Sequence, residues 1–93
     1  MNPSDVVCGA FYEGVPGLAL FPDYCTPVIV KATSRPNHRG RLSCQILGPD
    51  HNHTLTIQKD RGCDVEQLVE QISPAVVTEA MALARIVDLD FCS

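Results

Sequence analysis

The residues best suited to chemistry in this chain are histidines, basic residues and cysteines, and they fall in separate short segments. The segment Asp50-His51-Asn52-His53 could present two imidazoles on one side of an extended backbone. A structural zinc site needs four ligands, usually Cys or His, and the close cysteine pairs of zinc fingers are absent from the sequence. We therefore interpret His51 and His53 as members of a polar turn and predict neither a bound metal nor a cofactor.

Basic residues cluster in a second segment, with no acidic residue among them: Lys31, Arg35, His38, Arg39 and Arg41. Guanidinium groups bind phosphate and carboxylate through paired hydrogen bonds, so this basic loop could bind an anion. Aromatic residues that would stack on bases are missing between residues 31 and 59, which disfavours a reader of single-stranded nucleic acid. A solvated loop is the simpler interpretation, and a small anionic ligand or nucleic acid bound at residues 31–41 is the alternative function.

The cysteines are odd in number and widely spaced: Cys8, Cys25, Cys44, Cys63 and Cys92. This pattern favours free thiols in a reducing compartment over a disulfide framework. Cys63 comes closest to a reactive thiol, since it precedes a predicted helix start, but the neighbouring Asp64 and Glu66 oppose a thiolate. We predict Cys8 and Cys44 as packing residues and no nucleophilic catalysis, because no histidine is placed beside a cysteine by any sequence signature.

Paired carboxylates are the last candidate. Glu66 and Glu70 would lie one turn apart on a helix, where they could act as an acid and base pair or as half a metal site. More often, two carboxylates with this spacing lie on a solvated face of a helix. With no phosphate-binding glycine motif either, the sequence predicts a protein that is not an enzyme.

A β-hairpin is the clearest of the elements that must position these residues. Residues 41–47 and 54–59 both alternate polar with apolar side chains, as a strand with one solvated face does. If Leu47 opposes Thr54, apolar partners face each other across the pair, and residues 48–53 close the hairpin. Further strands are predicted at residues 6–12 and 28–33, with an ordered loop at 13–27 that includes a short strand at 18–21.

Helix signals begin at Asp64, a good N-cap followed three residues later by Gln67. Helical spacing continues to Ile72 through the apolar residues Val65, Leu68 and Val69. Ser73-Pro74 is a natural cap and first-turn pair, so we predict a second helix from Pro74 to Val87. The predicted fold is therefore α+β, an antiparallel meander of three or four strands covered by one broken or two consecutive C-terminal helices.

Size and charge restrict the class of protein further. The chain has 93 residues, 45% hydrophobic and 19% charged, which predicts one compact domain over residues 1–93. The formal charge is -4, which disfavours general nucleic-acid binding. The N-terminus lacks the basic region and long apolar run of a secretory signal, and no segment reaches 18 uninterrupted apolar residues, so we expect a cytoplasmic protein that does not contact membranes.

The second predicted helix is apolar nearly all round, so a small sheet could cover only part of it. A protein partner or a second copy in a homodimer could cover the remainder, with Val77, Met81, Ala84 and Arg85 as the partner-binding residues. Alternatively, the loop at 13–27 could fold over the helix with four apolar side chains: Leu18, Leu20, Phe21 and Tyr24. The sequence favours a non-catalytic protein-protein interaction module, such as an adaptor, an assembly subunit or an inhibitor of a larger complex.

Overall fold

A five-stranded antiparallel sheet is the framework of the protein in the computed structural model, which describes residues 1–19 and 28–92. The strands are β1 (Phe11–Gly14), β2 (Val28–Ala32), β3 (Arg41–Pro49), β4 (Leu55–Asp64) and β5 (Leu68–Ile72). Two helices follow, α1 (Pro74–Leu83) and the one-turn α2 (Leu89–Cys92), and short 3-10 helices span Pro3–Asp5 and Val65–Gln67. The predicted α+β class with an antiparallel sheet is confirmed, but the sheet has five strands instead of three or four.

The sheet must be strongly curled, because its two edge strands are joined by a very short connection. The strand order is β4-β3-β2-β1-β5, so β4 and β5 lie at opposite edges. Five strands laid flat would separate those edges by about 19 Å. Only Val65–Gln67 connects them, and the four steps from Asp64 to Leu68 reach about 14 Å at most. The sheet therefore bends around one of its faces.

Two separate cores pack on the two faces of the curled sheet. The inner core combines strand residues with the N-terminal segment and the start of the β1–β2 connection: Val6, Tyr12, Leu18, Ala19, Val28, Val30, Ala32, Leu42, Cys44, Ile46, Cys63, Val65 and Leu68. The outer core lies between the sheet and the C-terminal helices: Phe11, Leu47, Val77, Met81 and Phe91, flanked by Ile29, Ile57, Ile72 and Ile86. Helices α1 and α2 thus cover only the outer face of the sheet.

Residues 64–72 do not form the predicted helix. Gln67 Oε1 does accept a 2.9 Å hydrogen bond from the Asp64 N–H, but the helix it begins is a 3-10 helix of three residues. The chain then extends as β5 and pairs with β1. The apolar spacing is misleading here because Leu68 enters the inner core and Ile72 the outer core. Val69 has no partner in the register of this pair and is exposed, as expected of a bulged residue.

The turn of the β3–β4 hairpin is tighter than predicted. The Asp50 carboxylate accepts hydrogen bonds from the backbone N–H groups of Asn52 at 2.8 Å and Thr54 at 3.0 Å. His53 takes a left-handed conformation with a φ of 60°, and the Asp50 N–H donates to the Thr54 carbonyl at 2.9 Å. The chain therefore reverses over residues 51–53 alone, in the manner of a three-residue hairpin loop.

This turn sets the register of the part of the hairpin next to it, and a bulge between Cys44 and Ile46 shifts the pairing by one further residue in the rest. Leu47 pairs with Ile57, and Ile46 pairs with Gln58, so the predicted pairing of Leu47 with Thr54 is wrong. The difference is three residues, an odd number, and it moves Ile57 to the sheet face opposite the predicted one. Ile57 consequently flanks the outer core, and the amide of Gln58 is buried, with Nε2 donating to the Gly48 carbonyl at 3.1 Å.

The start of the connection between β1 and β2 packs on the inner core. Leu18 and Ala19 are buried there, so Leu18 does not cover the helix as one of our alternatives predicted. The fit is close, since a Cβ at Gly48 would lie 2.7 Å from the Ala19 Cβ. Residues 18–19 do not form a strand, and the rest of the predicted cover lies outside the described residues: Leu20, Phe21 and Tyr24.

Candidate functional site

Helix α1 begins as predicted and buries one face. The Ser73 hydroxyl accepts a hydrogen bond from the Ala75 N–H at 3.2 Å, and Pro74 occupies the first turn. Val77 and Met81, one turn apart, are only 1% and 2% exposed and lie in the outer core. Two of the residues predicted to bind a partner are therefore in the interior, where they fix α1 to the sheet.

The helix ends at Leu83, four residues before the predicted end. Arg85 takes a φ of 57°, and the Arg85 N–H donates to the Ala82 carbonyl at 3.1 Å. The Ile86 N–H donates to the Met81 carbonyl at 2.9 Å, which completes a Schellman motif with arginine where glycine is usual. This motif turns the chain back toward the sheet and leaves Arg85 exposed and Ala84 half-buried.

Apolar side chains are nevertheless exposed around this turn. Leu83, Val87 and Leu89 are 81%, 90% and 81% exposed, and Val76 is 51% exposed. Val76 and Leu83 are seven residues apart on α1 and so lie on one side of it, two turns apart. We call Val76, Leu83, Val87 and Leu89 the C-terminal apolar surface.

Aromatic packing and a buried lysine hold the segment that carries this surface. Phe91 of α2 is fully buried, and its ring centroid lies 5.4 Å from that of Phe11 in β1. Lys31 Nζ donates a 2.6 Å hydrogen bond to the Asp90 carbonyl and lies 5.8 Å from the centre of the Phe11 ring. These contacts fix α2 to β1 and β2.

A neutral amide on β3 and a lysine on β4 complete the attachment of α2. Gln45 Nε2 donates to Asp90 Oδ2 at 3.1 Å, while Lys59 Nζ lies 3.4 Å from Asp88 Oδ2 and 3.6 Å from Asp90 Oδ2. The hydrogen bond from Gln45, reinforced by the Lys59 charge, holds the pKa of the Asp90 carboxyl below its ordinary value. The two acids are thus partly neutralised by the sheet.

The basic loop is an ordered turn built on Asn37. Asn37 Oδ1 accepts hydrogen bonds from the Arg39 N–H at 2.9 Å and the Arg41 N–H at 3.1 Å, and the Gly40 N–H donates to the Asn37 carbonyl at 2.9 Å. Ser34 Oγ accepts from the Ser43 N–H at 2.9 Å. The backbone of this segment is therefore well fixed relative to β3.

The predicted anion-binding residues do not all meet at this turn. Arg35, His38 and Arg39 are exposed, while the Arg41 guanidinium is paired with Asp64 at 3.1 Å. Lys31 lies in β2, buried against α2 on the outer face, and is not part of the loop surface. Arg35, His38 and Arg39 are therefore the three of these five basic residues that are placed to bind an anion. The sequence alone could not show that Lys31 and Arg41 make other contacts.

The histidine turn is exposed at His51 and His53. Among residues 1–19 and 28–92, no group of three or more His, Cys, Asp or Glu side chains is placed to hold a metal ion. Glu66 and Glu70 do not share a helix face, because Glu66 lies in the 3-10 helix and Glu70 in β5.

Two cysteines come together in the inner core. Cys44 in β3 and Cys63 in β4 are each 1% exposed. Interaction with the Cys63 side chain is the largest cause that lowers the pKa of Cys44, and interaction with Cys44 is the largest cause that raises the pKa of Cys63. Burial opposes the lowering at Cys44, whereas the charges of Arg61 and Arg41 support it. The sequence did not predict this pair, because the predicted strand ended at residue 59 and its register placed Ile57 opposite Cys44. The observed pairing needs both the longer β4 and the register shift between Cys44 and Ile46.

The other thiols lie elsewhere. Cys8 is exposed and precedes β1, so it is not packed in a strand as predicted. Cys92 Sγ lies 3.2 Å from Met81 Sδ at the edge of the outer core. Cys25 lies outside the described residues.

Within residues 1–19 and 28–92, no helix has the combined length and apolar character needed to span a lipid bilayer. No family model, curated protein or solved structure matches the chain. The fold and its surfaces define the class only as a small α+β protein.

Proposed function

We propose that this protein is a non-catalytic protein-protein interaction module that binds a partner protein, or a second copy of itself, through the C-terminal apolar surface. The observation that supports this most directly is the exposure of Leu83, Val87 and Leu89, each above 80%. Single exposed apolar residues are ordinary, but three within seven positions form a concentration that water disfavours. Adaptors, assembly subunits and inhibitors of larger complexes use such surfaces.

The energetics favour a protein partner. Complete burial of one leucine or valine side chain contributes about 1.5–3 kcal/mol, so a few of them can supply most of a moderate affinity. Glu79 and Arg85 are exposed beside these residues and would lie at a polar rim. This arrangement replaces the one expected from the sequence, in which Val77 and Met81 made the contact.

The surface is also held in place before binding. Phe91 and Lys31 fix α2 against the sheet, and the Schellman motif at Arg85 fixes the end of α1. A surface that is already ordered loses less conformational entropy when it binds, so more of the burial energy appears as affinity.

The alternative function is binding of a small anion or nucleic acid at the basic loop. It is supported by the exposed Arg35, His38 and Arg39 on a turn that Asn37 orders. The acidic Asp5 and Glu66 line the same shallow recess as His38 and Arg39, and they weaken the attraction for phosphate. We therefore rank this function second.

The two functions are separated by a crossed pair of variants. Leu83→Glu/Val87→Glu alters the apolar surface, and Arg35→Glu/Arg39→Glu alters the basic loop. All four positions are exposed, so both proteins should fold. Val69→Glu is the matched control, because Val69 is 54% exposed at the bulge in β5 and belongs to neither surface.

Association is measured by light scattering of the purified proteins and by quantitative recovery of partners on tagged protein from nuclease-treated cytosol. We expect a stoichiometric partner or a self-association that persists in Val69→Glu and Arg35→Glu/Arg39→Glu and disappears in Leu83→Glu/Val87→Glu. Loss of protein association only in the arginine variant would place the contact at the basic loop and would overturn the C-terminal apolar surface as the binding site. A monomer that recovers no partner with any variant would overturn the proposal.

A further inference from the structure

We propose that the outer edge of β5, with the groove between this strand and α1, binds an extended basic segment of a partner protein that adds to the sheet as a further strand. The inference rests on the proposed function, in the form in which the partner is a different protein, but it concerns a second contact. It also gives the chemistry of that partner, a strand that carries an arginine or lysine near an apolar side chain.

The edge of β5 offers backbone groups to a further strand. The Ala32 N–H of β2 donates to the Ala10 carbonyl at 3.1 Å. Hydrogen bonding alternates along an antiparallel strand, so three residues later the Glu13 backbone faces β5, where it pairs with Glu70. The next residue, Gln71, therefore directs its N–H and carbonyl away from β1. Within residues 1–19 and 28–92, no backbone group pairs with Gln71 on that outer side.

Side-chain exposure shows that this edge is accessible. Glu70 and Gln71 are consecutive, and both are exposed. Successive side chains of a strand point to opposite faces, so the described part of the chain covers the edge on neither face. Accessible edges of this kind accept a strand from another chain, and main-chain hydrogen bonds then supply affinity.

A groove on the α1 side of β5 continues from the edge. We call it the β5 groove, and it is lined by Glu13, Glu70, Gln71, Ile72, Ser73 and Val76. Val76 also belongs to the C-terminal apolar surface, so the two contacts are continuous and one partner can make both.

The charge of the β5 groove favours a basic segment. Glu13 and Glu70 lie directly opposite each other, and within the described residues neither forms an ion pair. The Cα atoms of such a pair are about 5.5 Å apart, so one arginine can reach both carboxylates and relieve their repulsion. The start of α1 borders the groove at Ser73, but its partial charge of about +0.5 is smaller than the two negative charges.

The register of strand addition fixes the position of the basic residue. In a strand added beside β5, the side chain opposite Glu70 lies on the same face as Glu70, and the side chain two positions along lies beside Ile72. Ile72 is half-buried and lines the groove together with Val76. The bound segment therefore has a basic and an apolar residue two positions apart.

A second copy of this chain does not suit the edge. Glu70 is the central residue of β5, so two copies of the strand paired about a two-fold axis would bring their Glu70 carboxylates together. Like charges directly opposite each other destabilise strand pairing. The charge of the edge thus selects a different, basic chain.

Selection of random linear peptides on the immobilised wild-type protein tests the proposal. Enriched peptides are synthesised, and their affinities are measured by fluorescence anisotropy. We expect an arginine or lysine two positions from an apolar residue, and binding that weakens as salt concentration rises. Methylation of single backbone amides should abolish binding at alternate positions only, because alternate amides face Gln71.

Two charge reversals test the site itself. Glu70→Lys should weaken peptide binding at least about tenfold, because it replaces an attraction by a repulsion. Glu66→Lys is the matched control, since it makes the same change of charge in the 3-10 helix outside the groove, and it should change the affinity by less than about twofold. Glu70→Lys also removes the repulsion with Glu13, so its loss of binding cannot come from a weaker sheet.

Leu83→Glu/Val87→Glu separates this inference from the proposed function. The variant should still bind the peptides, because neither position lines the β5 groove. Peptides that lose affinity for this variant but keep it for Glu70→Lys would overturn the strand site and support the apolar surface. Enrichment of acidic peptides, or of none, would also overturn the strand site. Recovery of partners from cytosol does not depend on these peptides and would still test the C-terminal apolar surface.

Discussion

The Lys31 ammonium donates a 2.6 Å hydrogen bond to the backbone carbonyl of Asp90, a residue 59 positions away in the sequence. The lysine is only 8% exposed and also lies over the Phe11 ring. A buried ammonium needs such partners because burial without them is costly. Lys31 is therefore the residue that ties the C-terminal segment to β2, and this role explains why it does not join the basic loop.

Replacement of Lys31 should loosen that segment. In Lys31→Met the methylene packing is largely kept but the charged hydrogen bond is lost, so we expect the free energy of unfolding to fall by about 1.5–3 kcal/mol. Lys59→Met removes an ion pair whose lysine side chain is 47% exposed and should cost about 0–1 kcal/mol. Urea denaturation measures both, and hydrogen exchange should rise at residues 88–92 in Lys31→Met. Equal losses in the two variants would contradict the anchoring role.

The attachment of α2 should resist acid. Gln45 and the Lys59 charge place the pKa of Asp90 below its ordinary value of 3.8, so the ionised form is favoured in the folded state. The resulting stability is present above the unfolded pKa and is lost as pH falls through the lower folded pKa. In Gln45→Ala the pKa of Asp90 should rise toward the ordinary value, as followed by NMR titration of the Asp90 carboxyl. An unchanged titration would show that Gln45 does not set it.

The two apolar faces of α1 should respond differently to truncation. Met81 is 2% exposed in the outer core, and Met81→Ala should cost about 2–5 kcal/mol. Leu83 is 81% exposed, and Leu83→Ala should change stability by at most about 0.5 kcal/mol. Guanidinium denaturation of the monomeric protein gives both values. A large loss in Leu83→Ala would mean that this side chain is already covered.

The Schellman motif at the end of α1 should tolerate glycine better than arginine. Arg85 has a φ of 57°, a conformation that costs an L-residue about 1 kcal/mol and glycine nearly nothing. Arg85→Gly should therefore raise the midpoint of thermal unfolding, whereas Arg85→Val, which adds β-branching at the same position, should lower it. If both variants lower the midpoint, the prediction is wrong, and the exposed Arg85 side chain must itself stabilise the folded protein.

A like-charge pair on the sheet offers a stabilising substitution. Glu13 in β1 lies directly opposite Glu70 in β5, an arrangement that disfavours the pairing of the two strands. Glu70→Lys would place opposite charges there and should raise stability by about 0.5 kcal/mol, more at low salt than at high salt. Glu66→Lys makes the same change of charge in the 3-10 helix and is the control. An equal gain in both would point to net charge instead of the pair.

Local signals in the sequence predicted the elements whose formation depends on neighbouring residues. Alternation located the β3–β4 hairpin, β-branched residues located β2, and Ser73-Pro74 located the start of α1. The helix predicted at residues 65–72 was wrong. The spacing of apolar residues indicates that they are buried, but it does not show which of the two cores each residue enters. Leu68 and Ile72 enter different cores, and that choice depends on β1, more than 50 positions earlier.

The candidate sites were less predictable for the same reason. A turn of three residues, closed by the Asp50 carboxylate, sets the hairpin register next to the turn, and a one-residue shift between Cys44 and Ile46 then places Cys44 and Cys63 on the same sheet face. The rotation of α1 decides that Val77 is buried while Leu83 is exposed, and an all-round apolar helix carries no signal for that rotation.

The sequence by itself determined the α+β class, the antiparallel hairpin and the capped C-terminal helix, since each follows from backbone preferences and local apolar patterns. The tertiary structure alone decided the fifth strand, the removal of Lys31 from the basic loop and the side of α1 that meets solvent. These features depend on contacts between distant segments around a curled sheet, where the burial of one residue is settled by which other residues reach the same face.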